Sequence, residues 1–278
     1  MSELKGKLAV ITGANTGIGK VTAREIAKAG ARVILACRSE DKARAAMAEI
    51  EASVPDAQLE FLKLDLSTLV SVREAAQSLV TRGEPIHLLI NNAGLAGAKG
   101  LTTEGFELHF GVNHLGHHLW TQLLRPILAN GGRVVCVASR AHKRSKGLDF
   151  DTFKQPTASR TGFPEYCDSK LANVLFVRKL AMELADRNID VYGLHPGVVA
   201  SDIWRRLPWP IRPLATMFMI TNEQGAATSI HCATASSAKG QTGLYWDKCE
   251  AVPPHALGQD DAVMEELWRR SEEWTAQR

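Results

Sequence analysis

No stretch of this 278-residue sequence approaches the roughly 18 consecutive apolar residues of a membrane-spanning helix, so an integral membrane protein is not expected. Cysteine is scarce and unpatterned. Cys37, Cys136, Cys167, Cys232 and Cys249 are odd in number, scattered and without a CxxC pair. A disulfide framework is therefore not expected, and reduced thiols in the cytoplasm are. The opening MSELKGKLAVITG lacks a long apolar stretch ending in a small-residue cleavage site, so export is not expected either. Charge of one sign is also lacking: the formal net charge of +3 is too small to argue for a nucleic-acid binder. Repeats, low-complexity tracts and linkers are absent, so residues 1–278 read as one domain.

What is present is an alternation of short apolar runs and helical patterns. KLAVIT (7–12), RVILAC (32–37), LEFLKL (59–64), IHLLIN (86–91), RVVCVAS (133–139) and DVYGLH (190–195) read as strands, with a short one at GLYW (243–246). Helices fall between them: one ending near Lys28, then 41–53, 68–82, a long one within 103–128, and one around Tyr166. Two more follow, near 222–236 and 260–274. The strands are β-branched and continuously apolar, as strands buried on both faces are. The pattern predicts an α/β fold, a doubly wound parallel sheet of about seven strands with helices on both faces. Ligands in such sheets bind beyond the carboxyl ends of the strands.

TGANTGIG (12–19) follows the first strand and opens the first helix. Glycines there permit a tight turn and close approach of backbone to a pyrophosphate, which the helix N-terminus attracts. The spacing Gly13-x-x-x-Gly17-x-Gly19 differs from the common GxGxxG, and alone it also fits an ordinary strand–helix turn. Strand two ends in Cys37 and Arg38, without the acid that would hold the ribose hydroxyls of NAD. An arginine there can pair with a 2′-phosphate, so NADP(H) is expected over NAD(H). A solvated surface arginine is the alternative.

Tyr166 and Lys170 lie four residues apart, on one face of a helix. A nearby ammonium favours the phenolate and would lower the tyrosine pKa toward neutrality, where it can transfer protons at a carbonyl or alcohol oxygen. A lone Tyr-x-x-x-Lys also arises by chance. Its companions give it weight: Ser139 ends strand five, Asn113 sits in a long helical pattern, NNAG (91–94) closes strand four and HPG (195–197) closes strand six.

Taken in order, TGANTGIG, Asp65-Leu66, NNAG, Asn113, Ser139, Tyr166/Lys170 and Pro196-Gly197 resemble the short-chain dehydrogenase/reductase family over essentially the whole chain. The strings TGANTGIGK, NHLGHHL, YCDSKLANVLF, LHPGVV and EQGAATSIHCA look most like its retinol-dehydrogenase-like branch. So does the 27-position separation of Ser139 from Tyr166. Several members of that branch carry an N-terminal membrane anchor, which is not expected here.

The resemblance implies a catalytic tetrad. Tyr166 would be the general acid or base, Ser139 would place the substrate oxygen, and Lys170 would lower the Tyr166 pKa and hold the nicotinamide ribose. Asn113 would hold a water linking Lys170 to solvent. Cofactor contacts are expected at Gly13, Asn15, Thr16, Gly17, Ile18, Gly19 and Arg38. They are also expected at Asp65 and Leu66 for adenine, at Asn92, Ala93 and Gly94 for the adenosine ribose, and at Pro196, Gly197 and Val199 beside the nicotinamide. The implied activity is hydride transfer between NADP and an apolar aldehyde, ketone or alcohol, with retinal-like or medium-chain compounds foremost. The alternatives are an NAD-linked dehydrogenase of a steroid-like alcohol and a non-catalytic NADP-binding redox sensor. A sensor has no need of Ser139, Tyr166 and Lys170 together. A homodimer or homotetramer paired through the helices bearing Asn113 and Tyr166 is implied by the resemblance as well.

His114, His117 and His118 invite a metal reading, but no carboxylate or cysteine set accompanies them, so no metal is expected and a packing or interface role is. The basic run SRAHKRSK (139–146) reads as a solvated loop. Cys167 reads as a helix residue of modest reactivity. IWRRLPWPIRPLATMFMI (203–220) mixes Trp, Met, Phe and Pro, and within 198–221 a substrate lid is expected, with core packing, a dimer contact or a membrane-surface contact as alternatives.

Overall fold

The computed structural model describes residues 4–197 and 220–276. Their strands form one eight-stranded sheet in the order β3-β2-β1-β4-β5-β6-β7-β8. The strands are β1 (Leu8–Thr12), β2 (Arg32–Cys37), β3 (Gln58–Lys63), β4 (Ile86–Asn91), β5 (Leu128–Val137), β6 (Asp190–His195), β7 (Tyr245–Asp247) and β8 (Glu250–Val252). All neighbours are parallel except β7 and β8, which form an antiparallel hairpin. β8 was not foreseen from sequence: three residues, two of them exposed, carry no apolar periodicity.

Alternate residues of the central strands feed two cores. Val10, Ile34, Leu89 and Val134 point to one side of the sheet, and Ile11, Leu35, Ile90 and Val135 to the other. All eight are fully buried. Each such side chain contributes roughly 1.5–3 kcal/mol of transfer free energy. Helices α1 (Gly17–Lys28), α2 (Glu40–Ser53) and α7 (Asn222–Thr234) cover the second face. Helices α3 (Leu69–Arg82), α5 (Gly116–Leu124) and α6 (Phe163–Glu183) cover the first.

The single long helix expected within 103–128 is broken into three pieces: α4 (Leu108–Phe110), a π-helical turn (Gly111–Leu115) and α5. Gly116 lets this stretch press against the loop after β3, since a Cβ there would stand 2.7 Å from the Leu66 carbonyl oxygen. A π turn inserts one extra residue and re-aims the side chains within it, commonly at functional positions. Asn113 lies in this turn.

A final helix, α8 (Asp261–Thr275), lies across α6 and α5. Trp268 stacks on Phe176 with ring centroids 5.9 Å apart and meets His118 edge-on at 5.0 Å. Ser271 Oγ sits 3.0 Å from His114 Nε2. Arg178 and Lys179 of α6 pair with Asp261 and Glu265 at its rim. The His114–His118 stretch thus serves packing, as its lack of ligand partners implied. Among the described residues, no three His, Cys, Asp or Glu side chains group as metal ligands, and no helix is long and apolar enough to cross a membrane. All five cysteines are free thiols, and only Cys249 is not buried.

Candidate active site

The chain runs outward from β1 to β3 and then returns to place β4 on the other side of β1. That reversal opens a crevice at the carboxyl ends of β1 and β4, where ligands of such sheets bind. The glycine turn and the NNAG segment meet there. Thr12 Oγ1 accepts the amides of Asn92 and Ala93 at 2.9 and 3.0 Å, and Asn92 Nδ2 donates to the Thr12 carbonyl at 2.9 Å. The Asn92 side chain is therefore spent on bracing the turn.

Gly13 and Gly17 have φ of +67° and +56°, backbone that side chains with a Cβ adopt at a cost. Gly19 is required for a different reason. A Cβ there would press into the Gly13 carbonyl oxygen and stand 2.5 Å from Asn92 Nδ2. We expect Gly19→Ala to cost about 1–3 kcal/mol of stability and to weaken dinucleotide binding by at least about tenfold. Thermal melting and a fluorescence titration with NADPH measure the two, and unchanged binding would remove Gly19 from the cradle.

At the end of β2, the buried Cys37 thiol is pushed up to about 11 by burial, although amides of the glycine turn point to it. A neutral thiol thus replaces the acid that would hold ribose hydroxyls. Arg38 is exposed beside it and, among the described residues, has no carboxylate partner. Lys63 Nζ donates to the Arg38 carbonyl at 2.5 Å, so a second cation stands at the same corner. Lys63 escaped sequence reasoning because only the β2–β3 register brings it opposite Cys37. Asp65 caps its own loop, accepting from Ser67 N and Oγ at 2.9 and 2.7 Å, and Leu66 is buried.

Ser139 leaves β5 at the same rim, and Tyr166 enters α6 above it. Burial pushes the Tyr166 phenol pKa up, the Ser139 side chain beside it pulls it down by less, and the net shift is upward. This differs from the expected lowering by Lys170. That ammonium lies 5.8 Å from the Tyr166 ring centroid and donates to the Val137 carbonyl at 2.9 Å. Lys170 is 3% exposed, and burial lowers it to about 8. A cation held in a dry site by one carbonyl is placed to gain from an electron-rich partner.

Asn113 is fully buried, and both protons of its side-chain amide are used. Oδ1 accepts from Leu95 N at 2.9 Å, while Nδ2 donates to the Leu95 carbonyl and to Ser169 Oγ, both at 3.0 Å. It ties the loop after β4 to α6. His117 Nδ1 approaches the Asn113 main-chain carbonyl at 3.1 Å, and His117 Nε2 lies 2.9 Å from Thr12 Oγ1. Gly94 faces Asn113 and Lys170: a Cβ there would stand 3.3 Å from Asn113 Oδ1 and 3.5 Å from Lys170 Nζ. Pro196 and Gly197 follow β6 at the same rim. Val199 and the expected lid lie outside the described residues, except Ile220 and Thr221.

The turn, the basic corner and the buried lysine together fit a nicotinamide dinucleotide: a turn whose glycines leave the backbone open to close approach, cations for phosphate, and a buried ammonium with donors left beyond its bond to the Val137 carbonyl. Asn15, Thr16 and Ile18 lie in that turn between the glycines. In the basic run 139–146 the four basic side chains, Arg140, Lys143, Arg144 and Lys146, are exposed, as the solvated reading has it, and His142 is the exception. Arg140–Arg144 is a 3₁₀ turn, and His142 within it is fully buried.

The family model for short chain dehydrogenase matches residues 7–150 and 154–209. Human retinol dehydrogenase 12 is 42% identical over 277 residues, spanning 97% of this chain and 86% of that protein. The crystal structure of an uncharacterized protein from Mycobacterium Paratuberculosis superposes with a TM-score of 0.79 at 30% identity, covering 98% of this chain and 94% of that one. The RhlG/NADP active-site complex of Pseudomonas aeruginosa gives 0.72 at 26% identity over 88% of this chain and 96% of its own. With a Tyr–Ser pair, a buried lysine and a dinucleotide cradle gathered at one sheet rim, and with relatives of this similarity, the chain belongs to the short-chain dehydrogenase family, in its retinol-dehydrogenase-like branch, as an NAD(P)-dependent oxidoreductase.

Proposed function

We propose that this protein is an NADP-dependent carbonyl reductase or alcohol dehydrogenase acting on an apolar aldehyde, ketone or alcohol, with a retinal-like or medium-chain compound as the leading substrate class. The observation that carries this reading is the Ser139–Tyr166 hydroxyl pair beside the buried Lys170. Bound nicotinamide would supply or take the hydride, while the protein supplies orientation and the proton. Burial keeps Tyr166 protonated at neutral pH, so its hydroxyl is ready to donate to a carbonyl oxygen. Ser139 Oγ, beside the same hydroxyl, would share the substrate oxygen and fix its place. Asn113 and Ser169 hold α6 against the loop after β4, which keeps Tyr166 and Lys170 in register with the cradle. The apolar substrate class rests on the composition of 203–220 and on the relative named retinol dehydrogenase. Five free thiols fit a reducing compartment, and we place the protein in the cytoplasm.

The NADP preference rests on Arg38 with Lys63 and on the neutral Cys37 thiol. A charge-assisted contact to a 2′-phosphate contributes about 2 kcal/mol, so Arg38→Glu should lower kcat/KM for NADPH by at least about 30-fold and leave NADH within about 3-fold. An Arg38→Glu protein that keeps its NADPH preference refutes this assignment. The activity itself is tested by NADPH oxidation with purified protein over a panel from short aldehydes to retinal and bulky aryl ketones. The rank order sizes the pocket, and no turnover of any carbonyl by a protein that binds NADPH tightly would sink the catalytic reading.

A further inference from the structure

The hydroxyl of Ser139 can serve the reaction only if its backbone is fixed, because Ser139 is the second residue past the end of β5 and no longer lies in the sheet ladder. Its backbone is extended, with φ −169° and ψ 154°, and its Oγ accepts from Ala141 N at 3.1 Å. The peptide unit that follows it is gripped at both ends. The Ser139 carbonyl accepts from His142 Nδ1 at 2.6 Å. The Arg140 amide of the same peptide plane donates to His195 Nδ1 at 3.2 Å.

A carbonyl can only accept and an amide can only donate, so the two rings carry opposite tautomers. His142 must bear its proton on Nδ1, and His195 must leave Nδ1 bare. The far side of His142 agrees, since its Nε2 accepts from the His255 amide at 3.2 Å. The ring also meets Tyr245 edge-on, with centroids 4.8 Å apart. His142 is fully buried and His195 is 4% exposed, at the end of β6 beside Pro196. Arg140 reinforces the arrangement by a two-nitrogen contact with Asp247, at 2.5 and 2.9 Å. The Ser139 plane is thus tied to β6, to β7 and to the segment around His255.

We propose that His142 and His195 form a two-imidazole clamp that sets the Ser139–Arg140 peptide plane and so positions the Ser139 hydroxyl against Tyr166. Both are positioning residues that act through Ser139, and their kinetic role rests on the carbonyl-reductase reading above. The His142 amide also donates to the Ser139 carbonyl, at 3.2 Å, so the two imidazoles add to the hold of the 3₁₀ turn and fix the direction in which the plane faces. A misplacement of about 1 Å at a reacting centre costs on the order of 100-fold in rate.

The test is a mutant cycle with turnover and tautomer readouts. His142→Phe keeps the ring contact with Tyr245 and removes both hydrogen bonds. It should lower kcat by at least about tenfold while NADPH affinity stays within about 2-fold, because the dinucleotide cradle is untouched. His142→Asn retains an amide donor for the Ser139 carbonyl and should recover kcat to within about 3-fold of the parent. In a Ser139→Ala background, His142→Phe should change kcat by less than about 2-fold, since the group it positions is gone. An equal fold-loss in both backgrounds would show that His142 serves only the fold, and no loss with Ser139 present would overturn the proposal as well. The second readout needs no turnover, and so separates failure of the clamp from failure of the enzymatic reading. Imidazole ¹⁵N shifts of the intact protein at neutral pH should show Nδ1–H at His142 and Nε2–H at His195. The reverse tautomer at either ring overturns the clamp, whatever the substrate panel gives.

Discussion

Tyr166→Phe should bind NADPH within about 3-fold of the parent and lose at least about 1000-fold in kcat for carbonyl reduction. The substitution removes one oxygen and keeps the ring, so packing against Phe163 and His109 is retained. What disappears is the proton donor. General-acid transfer by a positioned side chain contributes about 100- to 10,000-fold, and water is a poor replacement in a site where Lys170 is 3% exposed. The phenol is raised by burial, so the parent's reductive rate should hold through neutral pH with no loss from tyrosine ionisation there. Stopped-flow turnover beside a binding titration checks both halves. A Tyr166→Phe protein that turns over at the parent's rate would end the general-acid mechanism, and one that no longer binds NADPH would move Tyr166 from chemistry to the cofactor cradle.

The protein should also unfold in mild acid. Burial lowers His117 and His195 to about 4 and His118 to about 3, from an ordinary value near 6.5. His114 is held well below its ordinary value for the same reason. In the folded state these rings stay neutral between pH 6.5 and their lowered pKa, while in the unfolded chain they take up protons over that range. Their contribution is therefore complete above pH 6.5 and is lost as pH falls below it. At pH 5 His117, His118 and His195 each lose about 2 kcal/mol, or about 6 kcal/mol together, comparable with the whole stability of an ordinary domain. Asp168 runs the other way. Burial raises it to about 6, so its protonation on folding offsets part of the loss. Chemical denaturation from pH 8 to pH 5 should show stability falling steeply below 6.5, and a flat profile would mean that these rings are charged or solvated in the folded protein. His118→Phe, which keeps a ring against Trp268, should flatten the profile by about one proton.

The sheet was legible because β-branched apolar runs leave few alternatives. Strands two, four and six begin and end where their periodicity does. The site was legible as a set because Gly13, Ser139 and Tyr166 stand at strand exits and helix entries, which one sheet rim collects. Besides β8 and Lys63, three things were not legible, each for a physical reason. The π turn at Gly111–Leu115 leaves the apolar spacing of a helix almost unchanged, so the break that turns Asn113 inward has no signature. The direction of the Tyr166 shift depends on burial against a specific hydrogen bond, and spacing along a helix reports neither. His142 was hidden in a basic run, where four charges around it read as solvent-facing. Only the 3₁₀ turn that follows Ser139 rolls its ring inward.

Helix α8 has a further consequence for mass action. It supplies Trp268 to α5 and α6, Ser271 to the π turn and Trp274 to α4, where aromatic rings and buried histidines would otherwise meet solvent. Those are the helices through which subunit pairing was expected. The surface that α8 covers on them is filled by a segment tethered to the same chain, whose local concentration no free subunit matches. Burial of that covered surface is therefore unimolecular, and its share of the folding free energy does not change when the protein is diluted.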